Sequence, residues 1–275
     1  MKYTVKQKDT LLAYLNTLPI SKKDAKNYLT RKMVMVNGQI QTHYLYELKE
    51  GDILEIGAKK TETSLDILYE DNEIIVINKP SGLLSMASEK EKSKTAYHLV
   101  REYLQKQNRN NKVFIVHRLD QDTSGVLMFA KNEKIKRLFQ DQWNDLVNIR
   151  GYLAIIEGSM ERKEGTIETF LEESKSQMVY VSKTGKKAIT HYKTIKQNKN
   201  YSLLEINLDT GRKNQIRVHL SYYKHPIVGD LKYGSHINPI HRLALHSHIL
   251  ELKHPVTHKI LRFEAAMPEI FNRLI

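Results

Sequence analysis

The sequence predicts an α+β fold: a mixed, mostly antiparallel sheet core with flanking helices and a central cleft, plus a small N-terminal α+β domain. Three observations predict it. Apolar runs of strand length outnumber helix-like stretches. The two kinds do not alternate strictly, as a doubly wound parallel sheet would require. The polar segment Gly57-Ala58-Lys59-Lys60-Thr61-Glu62-Thr63-Ser64 lacks a hydrophobic period and reads as a linker. Domains are therefore expected at residues 1–60 and 61–275.

The chain has 275 residues, enough for one large domain or for a large and a small one. Its net charge of +13 points to a polyanionic partner, with RNA or DNA the simplest. The charge is densest in the first 60 residues, where 11 basic side chains face 6 acidic ones. The absence of cysteine excludes disulfides, cysteine-ligated zinc and a cysteine nucleophile. The N-terminus opens no apolar run of signal-peptide length. No stretch approaches ~18 consecutive apolar residues, so no membrane span and a cytoplasmic location are expected.

In the first part, Leu11, Leu12 and Leu15 have helical spacing. Ser21-Lys22-Lys23-Asp24 reads as a helix start in which each side chain can satisfy a free backbone N–H. The helix that follows carries Lys22, Lys23 and Lys26 and ends at Arg31 and Lys32. Asn37-Gly38 between apolar residues signals a two-residue hairpin, since both positions tolerate positive φ. Residues 51–56 supply another strand.

In the second part, Ile74–Ile77 reads as a short buried strand stopped by Asn78-Lys79-Pro80-Ser81-Gly82. Residues 85–94 form a polar, lysine-rich loop. Thr95 can cap a helix whose apolar positions are Ala96, Leu99, Val100, Tyr103 and Leu104. A second helix follows Asn132 and carries Ile135, Leu138, Phe139 and Trp143. Strands are expected at Tyr152–Ile156 and over residues 203–208.

Chemistry is expected in two places. The first is His117-Arg118-Leu119-Asp120-Gln121-Asp122-Thr123-Ser124-Gly125, held between the apolar runs 113–116 and 126–130. A loop between two strands is a rigid mount. Turn residues there could simply bond local amides. His117, Asp120 and Asp122 could ligate a metal, though Arg118 would repel a divalent ion. Alternatively, Asp120 is a nucleophile or general base oriented by an arginine. The second place is Gly211-Arg212-Lys213-Asn214-Gln215-Ile216-Arg217-Val218-His219-Leu220, after a strand ending at Asp209. Arginines at a helix start oppose the helix dipole, which implies a bound phosphate, an ion pair or a merely solvated surface.

Together these segments resemble the RluA-type pseudouridine synthases. The resemblance rests on the two motifs above, on His225-Pro226-Ile227-Val228-Gly229-Asp230-x-x-Tyr233-Gly234, on Asn78-Lys79-Pro80-x-Gly82 and on Arg242-Leu243-Ala244-Leu245-His246-Ser247. They occur in the family's order and span residues 67–268. Residues 8–57 resemble the S4 RNA-binding domain through residues 21–25, 34–38 and 50–52. The Arg-Leu-Asp opening common in such domains is missing at Lys8–Leu12.

The resemblance implies an isomerase that converts uridine to pseudouridine in structured RNA, with large-subunit ribosomal RNA favoured by the S4-like part and tRNA as the alternative. It implies Asp120 as the catalytic aspartate, Arg217 as the basic residue that ion-pairs with it, and Tyr152 as the ring that stacks on the target uracil. Arg118 would fill the stack left by the flipped nucleotide, and Lys79-Pro80 would pack below the site. Arg212 and Lys22, Lys23 and Lys26 are expected to bind RNA. Many relatives carry Thr-His where this chain has Lys213-Asn214, and Lys in place of Arg150. The reaction breaks the N1–C1′ bond and joins C1′ to C5, so no cofactor and no metal are expected. RNA is the expected partner, and a monomer the expected state. The competing function is a catalytically silent RNA-binding or ribosome-assembly protein.

Overall fold

A computed structural model describes residues 2–30, 33–56, 65–87 and 94–275. The linker 57–64, Arg31 and Lys32, and most of the lysine-rich loop lie outside the described residues. The chain divides into two compact units, residues 1–64 and 65–275.

The first unit contains β1 (Lys2–Thr4), β2 (Asp9–Thr10), α1 (Leu11–Thr17), α2 (Lys22–Thr30), β3 (Val34–Val36), β4 (Gln39–Ile40), β5 (Glu47–Leu48) and β6 (Ile53–Ile56). Four strands pair in the order β1-β6-β3-β4, and β2 pairs with β5. Leu11, Leu15, Leu29, Val34, Leu48 and Leu54 are fully buried between helices and strands. The β3–β4 hairpin turns at Asn37 (φ 49°) and Gly38 (φ 81°), the left-handed pair its sequence demands. The Ser21 hydroxyl accepts the Asp24 N–H at 3.1 Å. The reciprocal bond expected from Asp24 is replaced by a 2.7 Å bond from the Ser21 hydroxyl to its carboxylate, so only one free helical donor is satisfied this way. Ala25 and Leu29 point inward, while Lys22, Lys23 and Lys26 are exposed on α2.

The second unit is an α+β fold around an eleven-stranded, mostly antiparallel sheet. Its elements are β7 (Ile67–Glu70), β8 (Ile74–Lys79), α3 (Ala96–Gln107), β9 (Phe114–Ile115), β10 (Ser124–Ala130), α4 (Glu133–Asp141), α5 (Trp143–Leu146), β11 (Val147–Glu157), β12 (Glu164–Glu173), β13 (Val179–Ser182), β14 (Lys186–Gln197), β15 (Tyr201–Leu208), α6 (Gln215–Tyr222), β16 (Leu245–Lys253) and β17 (Ile260–Glu264). The main path runs β13-β12-β14-β15-β11-β16-β10-β8-β7, with β17 on β16 and β9 on β10. Thr95 and Asn132 cap α3 and α4 by accepting the N–H of His98 and Ile135.

Two expected boundaries move. The strand expected to stop at Ile77 continues through Asn78 and Lys79, because Lys79 pairs in register with Gly125. Trp143 does not extend α4. The chain breaks at Gln142 (φ −123°, ψ 32°) and Trp143 opens α5, where its ring packs on His117 and Phe139.

Among the described residues, the one parallel strand pairing on this path positions the Asp120 loop. β10 runs beside β16 over Ser124–His246 and Gly125–Ser247. Gly125 sits at φ +109°, and a Cβ there would lie 2.0 Å from the Ser247 carbonyl oxygen. Only glycine lets the two backbones meet at that point.

Candidate active site

Asp120 sits in the loop between β9 and β10, and that loop is pinned from below by residues 79–85. The Ser85 hydroxyl accepts the Leu119 N–H at 3.0 Å and donates to the Leu119 carbonyl at 2.7 Å. The Gly82 N–H and the Ser81 hydroxyl reach the carbonyls of Gln121 and Asp122. Lys79 has no exposed surface. Its ammonium donates to the carbonyls of Pro80, Leu83 and Gln121 at 2.7–2.9 Å. Burial pulls its pKa down to about 7, opposed by the carboxylates of Asp122 and Asp120. Three carbonyl acceptors match the three donors of the ammonium form and favour it against that burial, and the side chain ties strand β8 to the residue after Asp120.

Arg217 arrives from the first turn of α6 and donates to the Asp120 carboxylate across 3.4 Å. Its shorter bonds go elsewhere. Nε and Nη2 form a two-pronged pair with Asp230, both at 2.7 Å. The Asp230 side chain is 1% exposed and also accepts the Tyr233 N–H. The Tyr233 ring lies 4.9 Å below the guanidinium, and its hydroxyl receives a bond from Asn214, whose carbonyl oxygen accepts from Arg217 Nη1 at 3.3 Å. Burial works against the charge on Arg217. The Asp230 bonds and charge, joined by those of Asp120, outweigh it and raise the pKa.

Tyr152, on β11, is half-buried opposite Ser247 and Ile206. Burial raises its phenol, against the pull of the Arg150 guanidinium. A cavity of about 190 Å³ is lined by Asp120, Arg217, Tyr152, Arg118 and Arg212 together, with Leu119, Leu208, Ile216 and Leu245 as apolar wall. Asp120 and Arg217, far apart in sequence, thus meet around one opening. Lys22, Lys23 and Lys26 belong to the other unit.

Several parts of the sequence reading change. His117 turns away from Asp120. Its Nε2 accepts the Met128 N–H at 3.0 Å, and burial followed by the Arg150 charge lowers its pKa to about 4. It is therefore not placed to join Asp120 and Asp122 around an ion, and among the described residues no group of three or more His, Asp or Glu side chains could hold a metal. The helix begins at Gln215, so Arg212 precedes it, fixed by a 2.9 Å bond from Nε to the Lys187 carbonyl. Gln215 is buried and braces Thr210, Ile189 and Thr190. The anions that meet Arg217 in the first turn are Asp120 and Asp230. Sequence reasoning assigned Asp230, Asn214 and Tyr233 no role. The available signal was Gly229-Asp230-x-x-Tyr233, in which Asp230 caps a 3₁₀ turn while its carboxylate faces Arg217.

Comparison with known proteins gives consistent matches. The family model of RNA pseudouridylate synthases matches residues 73–222. The uncharacterized RNA pseudouridine synthase YhcT of Bacillus subtilis (strain 168) is 35% identical over 277 residues, covering 96% of this chain and 91% of that protein. Ribosomal large subunit pseudouridine synthase D of Vibrio cholerae serotype O1 is 30% identical, covering 90% and 84%. Among solved structures, human RNA pseudouridylate synthase domain containing 4 shares the fold with a TM-score of 0.63 at 22% identity, covering 75% of this chain and 90% of that one.

Proposed function

This chain belongs to the RNA pseudouridylate synthase family, and on that premise we propose that it uses Asp120 to isomerise uridine to pseudouridine in large-subunit ribosomal RNA. As a pseudouridine synthase it is an isomerase. The observation that carries the residue assignment is the 3.4 Å approach of Arg217 to Asp120 in the wall of a cavity shared with Tyr152.

The roles follow from physical chemistry. The target base must leave its stack at a cost of a few kcal/mol. Tyr152 recovers part of this by stacking on the uracil, worth ~1–3 kcal/mol. Arg217 orients the Asp120 carboxylate toward the sugar, where the N1–C1′ bond breaks and the C1′–C5 bond forms. Arg118 occupies the gap left in the helix, and Arg212 holds a phosphate at the cavity rim. Ribosomal RNA as substrate is supported by several relatives named ribosomal large subunit pseudouridine synthase D. The exposed Lys22, Lys23 and Lys26 bind phosphates from the first unit, in the manner of an S4-like domain. The protein works as a cytoplasmic monomer.

The test is pseudouridine mapping in total RNA from cells with and without the gene, complemented with wild type or Asp120→Asn. A large-subunit site that vanishes without the gene and returns only with wild type is expected, while Asp120→Asn keeps its RNA affinity. Substantial activity in Asp120→Asn removes the carboxylate from the chemistry. Loss confined to tRNA moves the substrate assignment there.

A further inference from the structure

Gly211, Arg212 and Lys213 line two cavities. On one side lies the Asp120 cavity. On the other is a larger one, of about 560 Å³, between the β12–β13 hairpin and the start of β14. That volume falls within the ~300–1,000 Å³ of small-molecule sites. Its lining combines apolar side chains, Leu171 and Val179, with the cations Lys186, Arg212 and Lys213. Lys213 is closed in an ion pair on Glu173, so that acid is neutralised. Arg212 is oriented on the shared wall by its bond to the Lys187 carbonyl. Glu172 adds a second carboxylate to the lining.

An apolar floor, a basic rim and one hydrogen-bond acceptor are what a single nucleotide requires. The floor takes the face of a base, and the cations take its phosphate. A strand cannot place one base in the Asp120 cavity without passing its neighbour over a wall, and contacts to flanking nucleotides set substrate choice in enzymes that extrude a base. A glutamate accepts a hydrogen bond from the amino group of a base such as cytosine, and repels the carbonyl that uracil presents there.

We propose that the second cavity holds a nucleotide flanking the target uridine, with its phosphate on Arg212 and Lys186, its base over Leu171 and Val179, and Glu172 selecting a base with an exocyclic amino group. This rests on reading the Asp120 cavity as the uridine site.

The experiment uses full-length protein and total RNA from cells that lack it. Wild type, Glu172→Gln and Lys186→Ala are incubated with that RNA, and pseudouridine is mapped. A photo-crosslinking residue placed at Thr184, which also lines this cavity, reports which nucleotide lies there. Wild-type sites are expected to carry C, A or G at one fixed flanking position. Glu172→Gln, whose amide can donate, also modifies sites with U there. Lys186→Ala weakens RNA binding several-fold and lowers the slope of log affinity against log salt by about one. Crosslinks fall within a nucleotide or two of the modified uridine. Melting temperatures matching wild type separate these effects from misfolding. If wild type modifies nothing, the uridine-site reading fails and takes the subsite with it. If wild type is active but crosslinks lie elsewhere, or both variants keep the wild-type sites and salt slope, the subsite is overturned and the uridine site stands.

Discussion

Arg217 donates two 2.7 Å hydrogen bonds to Asp230 and only one, at 3.4 Å, to Asp120. The guanidinium is thus locked by the more buried acid and presents its remaining amino group to the more accessible one. An arginine held in this way keeps its orientation when the cavity is empty, so little reorganisation is left for the reaction itself.

Replacing Asp230 by Ala leaves Arg217 buried with its main partner gone. Breaking one side of such a pair costs about 3–5 kcal/mol, and the freed guanidinium should swing onto Asp120. We expect a lower urea midpoint and a fall in kcat of at least tenfold, with RNA affinity nearly unchanged. Activity close to wild type would show that Asp230 does not position Arg217.

Gly125→Ala tests the strand crossing. The added Cβ meets the Ser247 carbonyl at 2.0 Å and must adopt φ +109°. Strain and displacement together should cost about 3 kcal/mol or more and shift the Asp120 loop. Thermal melting and activity should fall together. A variant that melts like wild type would contradict the close approach of β10 and β16.

Acid stability follows from buried histidines. His219 bonds Thr190 and Thr169 through its two ring nitrogens. His246 donates to the Ala265 carbonyl and accepts from Ser124, which in turn accepts from Arg242. Burial pulls the pKa of His117, His219 and His246 to about 4. The unfolded chain takes up protons near pH 6.5 that these folded sites refuse. Their contribution is therefore complete above about pH 6.5 and lost as pH falls toward 4, by ~1.4 kcal/mol per pH unit for each group. Urea midpoints should fall steeply from pH 6.5 to pH 4.5. A flat profile through pH 5 would mean these rings ionise without penalty.

Replacing Lys22, Lys23 and Lys26 together by Ala should leave stability unchanged, since all three are exposed on α2. RNA affinity should drop, and the salt slope should fall by about one for each phosphate that no longer meets a lysine. Equal slopes for variant and wild type would show that this face does not touch RNA.

Much of the architecture is legible in local sequence because the signals are local. Asn37-Gly38 dictates its own backbone angles, Thr95 and Asn132 cap the helices they precede, and the apolar run 126–130 is a strand buried along its whole length. The extension of β8 through Lys79 is less visible, because pairing with Gly125, and not local preference, keeps that segment extended. The separation of Trp143 from α4 likewise comes from packing of its ring on His117 and Phe139.

At the candidate site the division is the same. The sequence alone specified which side chains are available: a loop with Asp120 close to Arg118, a basic segment with Arg212 and Arg217, and an apolar strand that opens with Tyr152. Only the tertiary structure decided that Arg217 pairs first with Asp230, that His117 faces the core, and that Lys79 is an ammonium clamp under the loop. The physical reason is range. Turns, caps and strand periods depend on neighbours a few residues away, whereas a carboxylate chooses its guanidinium by distance in space, and that distance exists only after β10, α6 and β16 have packed.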